Sequence, residues 1–201
     1  TLEERQALYR KIGYEIVLRI NEVSVVTPFA LVAAVILSHY RRGISHDELM
    51  DNLNEFYEYL LMKKIKFAAT FANREKAITD AINMLTQSNL ITKFSAEEDE
   101  DEEYQEVVYS LDEDKRLYLE YYKNNVLHFF VPLCFVATSM IKSNEDVIPL
   151  SRVLGDYKFL KRLLWNEFIF DETKDDVDEV NSVLEYLYNR KMIKVEERED
   201  G

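Results

Sequence analysis

The sequence predicts a mainly α-helical chain made of two winged-helix-like units packed around one central apolar helix, with a small β-hairpin wing in the first unit. Three observations carry that prediction. Apolar residues recur at three- and four-residue spacing along most of the 201 residues, in a chain with only four Gly and three Pro. Leu117 to Ile141 is the longest nearly charge-free stretch. The helical period gives way to short strand-like runs at Leu90 to Phe94 and Val107 to Leu111, separated by the acidic block Glu97 to Glu103.

Taken in order, Leu8, Ile12, Ile16 and Ile20 stand at four-residue spacing, with Leu2, Val17 and Leu18 nearby, which predicts an amphipathic helix over 2–20. Its stripe is expected to pack on something. Asn21 to Val26 interrupts the pattern. Thr27-Pro28 is a start signal, a hydroxyl able to cap followed by proline at a position where its missing donor costs nothing. A short, almost wholly apolar helix follows from Phe29 to Tyr40, ended by Arg41-Arg42-Gly43. Ser45 and Glu48 form a capping-box pattern, and Leu49, Leu53, Phe56 and Leu60 mark one buried face of the next helix, to about Lys64. Asn73 can cap a further helix whose apolar side is Ala77, Ile78, Ala81, Ile82 and Leu85, ending near Ser88-Asn89. Three helices and then a hairpin is the order of a winged-helix unit. The acids between the strands repel one another and are expected at a solvated loop tip.

Asp112 to Lys115 starts the helix that leads into the central stretch. From Val126 to Ile141 that stretch is apolar or aromatic apart from His128, Thr138 and Ser139, and it falls short of the ~20 residues of a spanning helix. It is expected as a buried helix, kinked or broken at Pro132. Beyond Lys142 the pattern repeats at an offset of about one hundred residues. Val153, Tyr157, Leu160 and Leu164 follow the spacing of the Leu49 to Leu60 stripe, and Val180, Leu184 and Leu187 before Met192-Ile193 echo Ile78, Ile82 and Leu85 before Leu90-Ile91. The expected organisation is a bracing helix over 1–26, a first winged-helix-like unit over 27–116, and a second, curtailed one over 117–201 that includes the central helix.

The net charge of −13 and pI near 4.8 disfavour a nucleic-acid partner, and the helix that would enter a DNA groove carries Glu75 and Asp80 beside Arg74 and Lys76. The single Cys134 allows no disulfide within the chain and suits a reducing compartment. The N-terminal segment has neither a signal-peptide nor an anchor pattern, and the missing initial Met makes the chain read as part of something longer. The glycines at 13, 43, 155 and 201 are isolated, so no phosphate-binding loop or nucleophile elbow is predicted. No cofactor and no metal site are expected.

Tyr121-Tyr122-Lys123-Asn124-Asn125 followed by His128-Phe129-Phe130-Val131-Pro132 resembles a segment in the C-terminal part of the membrane-associated glycerol-3-phosphate acyltransferases. A second block, Ile20-Asn21 with Val25-Val26-Thr27-Pro28 and Ala30-Leu31-Val32-Ala33, resembles the entry to the same part. Together they cover roughly residues 15 to 142. The resemblance implies a parent enzyme that moves an acyl chain from a thioester carrier to the sn-1 hydroxyl of glycerol 3-phosphate, the first step of phospholipid synthesis. It further implies a peripheral location on the cytoplasmic side of a membrane, the inner membrane if the source is bacterial. In that family a histidine and an aspartate four residues apart act on the acceptor hydroxyl. His46 and Asp51 have that spacing, but they open a predicted amphipathic helix and lack the family's glycine- and arginine-containing phosphate-binding blocks. No catalytic residue is therefore expected here.

His39 and His128 stand on apolar segments as single imidazoles, without the convergent ligands a metal requires. Asn125 lies three residues before His128 and thus near it on the same helical side. Tyr122, Asn125, His128, Phe129 and Phe130 are the candidate contact residues toward another domain or a membrane. The expected partners are the catalytic acyltransferase domain of the same polypeptide and a membrane surface. The reading from a different class is an acidic winged-helix adaptor in a protein complex.

Overall fold

The computed structural model describes residues 1–39, 43–95, 107–143 and 145–196. Among them are seven α-helices and three short strands, so the chain is mainly helical with one small antiparallel sheet. It divides into two compact units, Ser24–Leu127 and Thr1–Val23 with His128–Gly201.

The Ser24–Leu127 unit starts with α2 (Pro28–Ser38), followed by β1 (Gly43–Ser45), α3 (His46–Met62), α4 (Arg74–Gln87), β2 (Thr92–Ser95) and β3 (Val107–Ser110). The caps fall where the sequence puts them. Thr27 Oγ1 accepts from the Ala30 N–H at 3.3 Å with Pro28 at the first helical position, Ser45 Oγ accepts from the Glu48 N–H at 3.2 Å, and Asn73 Oδ1 accepts from the Lys76 N–H at 3.1 Å. The sheet order is β1-β3-β2, antiparallel throughout, with Ile44 opposite Tyr109 and Lys93 opposite Tyr109 on the other side. β1 has no signal of its own in the sequence. Gly43, expected as the terminator of α2, is instead paired in this strand with Ser110, where an added Cβ would meet Val108 Cγ1 at 3.0 Å. The proposed basic stop Arg41-Arg42 and the acidic block Glu97 to Glu103 lie outside the described residues.

The core of this unit is α2, of which Pro28, Ala30, Leu31, Val32, Ala33, Ala34, Val35 and Ile36 are all buried. It is covered by Leu49, Leu53 and Leu60 of α3 and Ile78, Ile82 and Leu85 of α4. Its entry is pinned by Val26, whose N–H donates to the Lys66 carbonyl and whose carbonyl accepts from the Ala68 N–H, each at 2.9 Å.

The long helix α5 (Arg116–Lys142) is shared between the units. It is one uninterrupted helix of 27 residues with Pro132 inside it, so the expected break does not occur. Proline removes only the bond to the His128 carbonyl, and Val131, Phe135 and Val136 around it are buried. The sequence boundary ahead of Leu117 also differs from the packing. Residues up to Leu127 belong with the first unit, where Leu119 and Val126 are buried and Tyr122 sits 5.5 Å from Phe29, ring centre to ring centre.

The other unit holds α1 (Leu2–Val23), the C-terminal half of α5, α6 (Leu150–Leu163) and α7 (Asp176–Asn189). Its core joins Phe135, Val136, Val153, Tyr157, Phe170, Val180 and Val183. Ser139 Oγ donates to Asp156 at 2.7 Å, Tyr157 donates to Glu179 at 2.7 Å, and Lys161 pairs with Asp176 at 2.5 Å. Helices α6 and α7 occupy the segments whose apolar spacing matches that of α3 and α4. Among the described residues, 192–196 carry no strand.

Helices α3, α4 and α7 stop in the same way. Lys64, Asn89 and Lys191 take left-handed backbone angles, with φ of 57°, 54° and 59°. The following residues, Ile65, Leu90 and Met192, donate back to the carbonyls of Leu60, Leu85 and Leu187 at 2.9 to 3.0 Å. Two of the three stops use lysine where glycine would be the usual signal.

Candidate interaction surfaces

Each contact residue read from the sequence falls on α5. Within the Ser24–Leu127 unit, Tyr122 is half-buried between Phe29 and Tyr121, and Asn125 is exposed. Ahead of them Leu117, Tyr118 and Tyr121 are 79%, 60% and 71% exposed, an aromatic-rich face the candidate set did not include. Within the other unit, His128 is half-buried with its ring 3.9 Å from that of Phe129. Burial holds its pKa below the ordinary histidine value, partly offset by a hydrogen bond to the Asn21 backbone. Phe130 is a correction. It is 5% exposed and belongs to the core, so it offers nothing to a partner.

On α1 the cover expected for the apolar stripe is not supplied by the described residues. None of its 22 residues is buried, and Leu8, Ile12, Ile16 and Ile20 are 53%, 48%, 54% and 56% exposed. The helix is attached by another side. Tyr14 Oη donates to the Phe170 carbonyl at 2.6 Å and accepts from the Phe170 N–H at 2.9 Å, and its ring stacks on Trp165 at 6.1 Å. Burial raises the Tyr14 pKa, against the hydrogen bond to Phe170, which lowers it. Asn21 adds the backbone contact with His128.

His46 begins α3 at the capped end, with Nδ1 3.2 Å from the Tyr109 hydroxyl, and Asp51 is exposed on the same helix. Five positions apart on a regular helix they point roughly 140° from each other, so the two do not converge. A cavity of about 340 Å³ brings together Leu37 and His39 after α2, Tyr109 of β3 and Glu113 and Arg116 at the start of α5. Sequence reasoning could not find it, because its walls come from segments about seventy residues apart that the β1–β3 pairing brings together. Among the described residues no group of three His, Cys, Asp or Glu side chains could hold a metal.

Of the described helices, the segment Glu113–Lys142 is long and apolar enough to cross a membrane by length and composition, and 33% of its most apolar window is buried. The 27 residues of α5 exceed the sixteen on which the sequence estimate rested, because the amphipathic turns from Arg116 to Asn125 join the same helix.

A protein family described as the glycerol-3-phosphate acyltransferase C-terminal region matches residues 1–201. The chain belongs to this family. The match runs past both ends of the span from 15 to 142 on which the resemblance was read. Similar curated relatives are named glycerol-3-phosphate acyltransferase. That of Aeromonas hydrophila is 28% identical over 80% of this chain and 19% of its own length. That of Pasteurella multocida is 22% identical over 84% of this chain and 20% of its own. That of Actinobacillus pleuropneumoniae serotype 3 is 22% identical over 92% and 22%. The chain therefore spans about a fifth of the length of the curated relatives it matches.

Proposed function

We propose that these residues are the non-catalytic C-terminal part of a glycerol-3-phosphate 1-O-acyltransferase, which transfers an acyl group from a thioester carrier to glycerol 3-phosphate. They support the catalytic part of the same polypeptide and help seat it on the cytoplasmic face of a membrane. The observation that carries this reading is the family match along the whole chain, set against relatives about five times as long. The divergence of His46 and Asp51 on α3 supports placing the chemistry elsewhere. For the seating role, the support is the face of α5 formed by Leu117, Tyr118 and Tyr121, since aromatic rings with polar tips suit a membrane–water interface. The α2–β1–α3–α4–β2–β3 order suggests a winged-helix unit used for packing rather than for nucleic acid.

The test compares acyl transfer to glycerol 3-phosphate by the full-length protein with that of a protein truncated just before Thr1. An active full-length enzyme and a folded, inactive truncation show that these residues support catalysis. Activity kept in detergent but lost from the membrane fraction assigns them to localisation. No transfer by the full-length protein would sink the reading. Replacing Tyr118 and Tyr121 by serine is expected to reduce membrane sedimentation while leaving the fold intact; unchanged sedimentation removes the seating role.

A further inference from the structure

We propose that the outward apolar face of α1 docks, as a helix laid in a groove, on the part of the same polypeptide that lies outside residues 1–201. The proposal rests on the reading that these residues are one part of a longer acyltransferase. At about 100° per residue, Leu8, Ile12, Ile16 and Ile20 sweep one arc of the helix. Tyr14, Leu18 and Asn21, none of them exposed, lie on the opposite arc. The bonds from Tyr14 to both backbone groups of Phe170 hold that opposite arc inward. The helix is therefore attached by its more polar side and presents its isoleucines outward, the reverse of what burial of apolar surface favours for a free unit. The 22 residues of α1 extend about 33 Å, long enough for several successive anchors at i, i+4 spacing.

Charge decides the occupant. α1 carries Glu3, Glu4, Glu15 and Glu22 against Arg5, Arg10, Lys11 and Arg19, so its own charges cancel. Within the apolar arc, between Leu8 and Ile12 in angle, Arg19 is taken up by Glu15 and Glu22, each at 2.7 Å. A helix that lies on an anionic lipid surface needs a basic polar face, which α1 lacks. A second copy of residues 1–201 would bring the same net charge of −13 toward this part, which opposes association of the two. A protein groove with apolar walls needs no compensating charge from α1. If tethered in the same polypeptide, it would also be met at high effective concentration.

The test places a photo-crosslinking amino acid at Ile12, and separately at Ile16, in the full-length protein in its own membranes, with crosslinked peptides mapped by mass spectrometry. The expected result is a crosslink to the same chain outside residues 1–201, lost when Leu8→Asp and Ile20→Asp are introduced. A thermal midpoint kept by that variant shows that the loss is not unfolding. Crosslinks to lipid, to a second copy, or only within residues 1–201 would each overturn the docking. Acyl transfer is measured on the unsubstituted full-length protein, so that a failed enzyme assay and a failed docking are separate results.

Discussion

Helices α1 and α2 are neighbours in sequence and opposites in burial. α2 has eight of its eleven residues buried, whereas α1 has none of its 22, although isoleucine and leucine mark both. The difference teaches that an apolar stripe states a requirement for cover without saying what supplies it. α2 is apolar all round and can only be a core element, enclosed by α3 and α4. α1 is apolar on one side and has an alternative, a single aromatic anchor on the other.

The largest way to break the contrast is Leu31→Ala in α2. Leu31 has no exposed surface, and removing it is expected to lower stability by about 3 kcal/mol, read from denaturant unfolding. A loss below about 1 kcal/mol would mean that α2 is not the centre of its unit. Tyr14→Phe removes two hydrogen bonds to Phe170 at once. It is expected to cost about 1 kcal/mol, appearing as faster hydrogen exchange confined to α1, with the Ser24–Leu127 unit unchanged.

His128 sharpens the comparison through pH. Its folded pKa is lowered from 6.5 by burial, so below that value the unfolded chain takes up the proton first. Stability should therefore hold above pH 6.5 and fall as pH drops from there toward the folded pKa. His128→Gln should flatten that part of the profile, measured as unfolding midpoint against pH; an unchanged slope would assign it to other groups. The smallest effect is expected from Ile12→Asp, within about 0.5 kcal/mol on the stability of residues 1–201 because the side chain already meets solvent. A cost near that of Leu31→Ala would show that the stripe is covered within these residues.

Much of the fold was legible because local chemistry is short-range. Thr27, Ser45 and Asn73 cap where their spacing says, and the α4 stripe is buried throughout. Leu49, Leu53 and Leu60 of α3, Val153 and Tyr157 of α6 and Val180 and Leu187 of α7 are buried, while Phe56, Leu160, Leu164 and Leu184 are half-buried. β1 was not legible, since three residues form a strand only when β3 offers an edge. Nor were the stops at Lys64 and Lys191, where bonds back to Leu61 and Leu60, and to Tyr188 and Leu187, outweigh lysine's preference against positive φ. Of the candidate contact residues, Phe130 was lost to the core. The exposure of Leu117 and Tyr118 beside Tyr121 was not legible, because composition does not tell which side of an apolar helix is covered.

The sequence by itself determined the helical class, the starts of α2, α3 and α4 and the resemblance to the acyltransferase C-terminal region, all carried by short local patterns. Only the tertiary structure decided that Pro132 leaves α5 whole, that its two halves belong to different units, and that α1 turns its isoleucines outward. These outcomes depend on which distant groups meet, such as Tyr14 with Phe170 and Tyr122 with Phe29. Such pairings are settled by competition among all buried contacts in the folded chain, a quantity no local window of sequence contains.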